Sequence, residues 1–140
     1  MPITLRLLLV IIYILVDIIY VYFSKNVYDA VVISIQGSSM PISISRVISA
    51  VSAWTCMALG WYFLTTSLVD KWLSLGLNPY KVGLMAGLIN GLLVIGTFNF
   101  TNYAMFTNYT ISLMIRDMLW GVGWVTIVTI IYAVLYNKNK

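Results

Sequence analysis

Apolar residues in this chain gather into four long blocks, and most polar residues fall in the short stretches between them. A helix crossing a bilayer needs about 20 mainly apolar residues at about 1.5 Å of rise each. Blocks of that length lie at about residues 3–23, 42–67, 80–98 and 112–136. The punctuation agrees with these limits. Asn78 and Pro79 stand where a helix cap and a first-turn proline belong, just before the third block. The stretch from Gln36 to Ile42, QGSSMPI, closes one element and opens the second block. Between the first two blocks, Val27, Ala30, Val31 and Ile35 recur at helical spacing in a segment too short to cross. That spacing predicts a short helix at the membrane interface, with an ordered loop as the alternative. The expectation is an all-α four-helix transmembrane bundle occupying residues 1–140 as one membrane domain.

Composition strengthens this. Of the 140 residues 61% are hydrophobic and 9% charged, with mean hydropathy +0.96. Soluble domains carry about a quarter charged residues. A water-soluble fold of this size has too little interior for so much apolar side chain. The net charge of +4 would suggest nucleic acid in another setting, but here the cations stand singly at the ends of apolar blocks. They therefore report topology. Arg6, Lys71, Lys81, Lys138 and Lys140 fall on one side, against Lys25, Arg46 and Arg116 on the other. The excess places both termini in the cytoplasm.

Inside lipid, helices adhere where small residues let backbones approach. Gly83, Gly87 and Gly91 recur every four residues along the third block. They predict a central third helix packed tightly against the second or the fourth.

The fourth block contains an adjacent Arg116 and Asp117 about one turn from its start, and the first contains Asp17. Counting rise from the ends of the blocks puts all three at about 6 to 9 Å from the same face. Charges within a span are costly and tend to pair inward. The expectation is therefore an Asp17–Arg116 ion pair across the first and fourth helices. Asn90, Asn102, Tyr103 and Trp120 would join it, forming a polar pocket in the outer half of the bundle. Arg6 is expected to snorkel to its own interface. The two sequons, at Asn99 and Asn108, read as chance matches in a loop that hugs the bilayer.

The inventory of chemistry is short. There is no His, and the single Cys56 lies within an apolar block, so no disulfide or cysteine metal cluster can form within the chain. No phosphate-binding glycine loop, metal-ligand set or paired nucleophile and base is found. The sequence implies no cofactor, no metal and no catalytic residues.

The stretch GTFNFTNYAMFTNYTISLMIRDMLWG, Gly96–Gly121, resembles an uncharacterised family of small integral membrane proteins, domain of unknown function 2177. The resemblance rests on Thr101 and Asn102 after the third block and on Asp117, Trp120 and Gly121 in the fourth. Asp17 followed by Tyr20 in the first block is similar. Phe98 and Asn99 stand where family members often have Tyr-Asp. The family implies a compact four-helix membrane protein and supplies no activity.

The leading expectation is a non-enzymatic membrane protein whose polar pocket binds or passes a small solute or ion. The alternative is a structural or assembly component acting through helix and partner-protein contacts. The partners expected are the lipid bilayer and either further copies of the chain or other membrane proteins, with no nucleic acid.

Overall fold

The computed structural model describes residues 3–39 and 41–138. Met40 of the punctuation before the second block and Lys140 of the charge count lie outside the described residues. Four helices are long and apolar enough to span a membrane: α1 Ile3–Gln36, α2 Ile44–Ser74, α3 Pro79–Met105 and α4 Ile111–Lys138. Among the described residues all regular structure is helical, and the protein is a four-helix membrane bundle.

The helices run past the apolar blocks that predict them. The spacing in residues 24–35 does mark a helix, but it is the uninterrupted continuation of α1. No glycine or proline falls between Phe23 and Gln36, so nothing stops the helix there. It ends where Gly37 takes φ +78°, its N–H bonded to Ile33 O at 2.8 Å. At 34 residues α1 is about 51 Å long, against a hydrocarbon core of about 30 Å. It is thus longer than that layer is thick, and its last third packs on the segment leading into α4. There Asn108 Nδ2 donates to Ser34 O at 2.7 Å, and Tyr28 and Val31 pack on Tyr109, Leu113 and Met114.

At the start of α3, Asn78 Oδ1 caps the N–H groups of Tyr80 and Lys81, with Pro79 in the first turn. Two helices contain a wider π turn, Gly60–Thr65 in α2 and Leu92–Gly96 in α3. Such a turn rotates the later residues of its helix around the axis, and π turns often accompany functional sites.

The tightest contact joins α3 to α4. A Cβ added at Gly83 would stand 2.5 Å from Ile130 Cα, one at Gly87 2.5 Å from Thr126 Cα, and one at Gly91 2.9 Å from Val122 Cα. Each four-residue step along α3 is matched by a four-residue step back along α4, which is antiparallel backbone contact over three turns. Of the two partners the glycine spacing allows, the stripe meets α4. The reverse fit occurs once, where Ile95 lies over Gly121.

Around this seam lies an apolar core of Tyr13, Trp61, Val69, Val128 and Tyr132, sealed where Trp61 Nε1 donates to Thr129 Oγ1 at 2.9 Å. At the end that holds both termini, Arg6 does not snorkel free. It pairs with Asp70 of α2 and lies 5.6 Å above the Tyr132 ring, and the Tyr132 hydroxyl donates to Asp70 Oδ1 at 2.7 Å. Asp70 draws Arg6 inward because a half-buried carboxylate near lipid needs a partner.

Candidate functional site, a polar groove away from the termini

At the opposite end of the bundle, polar side chains from α1, α2, α3 and α4 converge. The register between α1 and α4 decides who meets whom. Trp124 Nε1 donates to Tyr13 O at 3.2 Å, and the Tyr20 hydroxyl donates to Asp117 Oδ1 at 2.6 Å. In that antiparallel register Asp17 stands level with Trp120 and Gly121, one turn from Arg116.

Asp17 and Arg116 consequently do not pair, contrary to the expectation from depth. Asp17 Oδ2 accepts from Trp54 Nε1 of α2 at 2.8 Å. Arg116 donates to Ser24 Oγ at 2.6 Å, and its guanidinium carbon lies 5.6 Å from the Tyr20 ring centre. The depth count failed because it took α1 to end near Phe23. The continuing helix supplies Ser24, two turns past Asp17, as the partner at the level of Arg116.

Adjacent residues on a helix point about 100° apart, so Arg116 and Asp117 have different surroundings. Arg116 faces out beside α1. Asp117 points into the bundle and is 6% exposed. Its second oxygen lies 3.4 Å from the hydroxyl of Tyr109, which also lies 2.7 Å from Asn99 Oδ1. Asn99 is fully buried, and its amide nitrogen donates to Ile95 O, within the π turn, at 3.0 Å. Tyr109 sits in the loop before α4, where burial pushes its hydroxyl up to about 12. The Asp117 carboxylate adds to that rise, and the Asn102 amide opposes it. Tyr109 thus stays protonated, able to donate, across the neutral range.

Asp17 and Asp117 both line a groove of about 660 Å³. Asp29 and Lys25 stand along it on the extension of α1. Aromatic rings from Tyr20, Tyr28, Trp54, Phe98 and Trp120 form much of its wall. Trp120 stacks on Tyr20, with ring centres 4.7 Å apart and planes within 10°. Ala50 and Ala53 of α2 contribute small side chains and so leave space.

Of the residues expected in the polar layer, Asp17, Asp117 and Trp120 line this groove. Arg116 lines a shallower hollow with Tyr20 and Ser112. Asn102 is half-buried near Tyr109, Asn90 is half-buried on α3, and Tyr103 is exposed; none of these three lines the groove. Ser24, Lys25, Tyr28, Asp29 and Tyr109 join the site at this end of the bundle without having been expected in the polar layer. The helical spacing of residues 27–35 held the available clue, since a continuous α1 brings its share of them to this end. Asn99, the position where the sequence departs from the Tyr-Asp of the family pattern, lies at the centre of the buried hydrogen bonds. Its burial leaves no room for a glycan there.

Four apolar helices, a glycine seam and a polar layer define a small multi-span membrane protein. A family model described as "Predicted membrane protein (DUF2177)" matches residues 3–134, and the chain belongs to that family. No curated protein and no solved structure matches the chain.

Proposed function

We propose that the protein is a non-enzymatic membrane protein whose groove binds a small solute, the entry step of either retention or passage. The observation that carries this reading is a groove of about 660 Å³ reaching Asp17 and the buried Asp117. Binding sites for small molecules span about 300–1,000 Å³, with mainly apolar and aromatic walls and a few placed polar groups. A purely scaffolding layer would be closed, without a groove of this size beside its carboxylates. The charge excess on the other side supports an outward-facing groove, with both termini in the cytoplasm.

The test is thermal stability of the protein in lipid nanodiscs with a panel of small solutes: monovalent cations, organic amines, carboxylates and sugars. Ala53→Trp fills the groove from an exposed position on α2. At least one solute class should raise the Tm of the wild-type protein in a saturable manner and leave the Ala53→Trp protein unmoved. No shift from any class, or equal shifts in both proteins, would sink the binding reading.

A further inference from the structure

The charge lining the groove is unbalanced, and this narrows what it accepts. Three of the chain's four acidic residues line it, Asp17, Asp29 and Asp117, against Lys25 alone among the cations. Among the described residues the single salt bridge is Arg6–Asp70, so none of the three carboxylates has a Lys or Arg nitrogen within 4.0 Å. Asp17 accepts from the Trp54 indole N–H and Asp117 from the Tyr20 hydroxyl, with the Tyr109 hydroxyl, whose one proton is shared with Asn99 Oδ1, 3.4 Å away. These stabilise a carboxylate without neutralising it.

Arg116 is the cation best placed to supply the missing charge, since it is adjacent to Asp117 in the chain. It is instead turned toward Ser24 and Tyr20 and is absent from the groove wall. An anion entering the groove would meet carboxylates and few donors. A sugar would meet a wall mainly of rings and aliphatic groups. A cation with an apolar body would gain on both counts, because carboxylates attract its charge and aromatic faces attract a cation and cover its apolar part. We propose that the groove takes a hydrophobic monovalent cation, an organic ammonium or similar ion, seated by Asp17 and Asp117 against Trp54 and Trp120, with Asp29 about 18 Å further along α1 adding to the field that draws it in. The proposal rests on the binding reading above and specifies its ligand class.

Tetraphenylphosphonium and tetraphenylborate test this directly, being nearly identical in shape and opposite in charge. The protein is placed in phosphatidylcholine nanodiscs, and each ion is measured by equilibrium dialysis with binding to empty discs subtracted. The cation should bind saturably, about tenfold or more tighter than the anion, the ratio that about 1.4 kcal/mol of charge preference produces. Asp17→Asn keeps an oxygen that can accept from Trp54 and should weaken the cation several-fold, whereas Asp29→Asn, further along the groove, should weaken it less; both should leave the anion unchanged. Ala53→Trp should remove the saturable component. Equal affinity for the two ions, or cation binding indifferent to the Asp17→Asn/Asp29→Asn double change, would overturn the charge assignment. If the solute panel still shows groove-dependent binding in that case, the broader reading survives without this one. If Ala53→Trp changes neither experiment, both fall.

Discussion

Trp54 Nε1 donates to Asp17 Oδ2 at 2.8 Å, and this bond fastens α2 to α1 beside the groove. It matters because the most apolar stretch of α2 is little enclosed by its neighbours, with 11% of it buried. Removing the donor with Trp54→Phe should cost about 1.5–3 kcal/mol, the range for a hydrogen bond to a charged group. The measurement is unfolding in mixed micelles by SDS titration. A double-mutant cycle of Trp54→Phe with Asp17→Asn should show coupling, whereas Asp17→Asn with Arg116→Gln should be additive. Coupling of about 1 kcal/mol or more in the second cycle would restore a direct Asp17–Arg116 ion pair.

The glycine seam predicts a graded series. Gly83→Ala and Gly87→Ala would each push a methyl group into the backbone of α4 and should destabilise by about 1–3 kcal/mol. Gly91→Ala, with slightly more room, should cost less. Gly123→Ala meets nothing within 4 Å and should be neutral or slightly stabilising, since alanine favours helix. A Gly87→Ala protein as stable as Gly123→Ala would remove the seam as the main adhesive.

At the other end, Arg6, Asp70 and Tyr132 form one cluster whose two charged side chains are each 23% exposed. Arg6→Gln should lower stability by about 1 kcal/mol, and Asp70→Asn by a similar amount, with strong non-additivity in the pair. Arg6→Lys should recover only part of the loss, because an ammonium cannot reproduce the guanidinium's planar contact. Full rescue by lysine would reduce the cluster to simple charge balance.

The Tyr109 hydroxyl gives a pH signature. An unfolded tyrosine titrates near about 10, and in the folded protein this one is pushed up to about 12 by burial first and by Asp117 second. The folded state holds the proton more tightly, so its stabilising contribution is present below pH 10 and is lost as pH rises through 12. The slope is about 1.4 kcal/mol per unit for one such group. Unfolding measured across that window should fall more steeply for wild type than for Tyr109→Phe. Parallel pH curves for the two proteins would show that Tyr109 titrates normally.

The amino-acid pattern was sufficient for much of what is governed by one helix at a time, though not for the continuation of α1 to Gln36 or for the π turns. Apolar run length gives four spans, Asn78 and Pro79 give the start of α3, and the Gly83–Gly87–Gly91 spacing gives a face that must meet a neighbouring backbone. These are short-range consequences of helical rise and of what lipid tolerates. The choice of partners across helices was not legible, because it depends on register between elements far apart in the chain. Asp17 and Arg116 sit at similar counted depths, yet a shift of one turn between α1 and α4 gives them to Trp54 and Ser24. That shift is fixed by the bonds that join the two helices directly, Tyr20–Asp117, Trp124–Tyr13 and Arg116–Ser24, the last available because α1 does not stop before Gly37. The groove has the same cause, since its carboxylates and rings come from all four helices, and only their packing brings them to one wall.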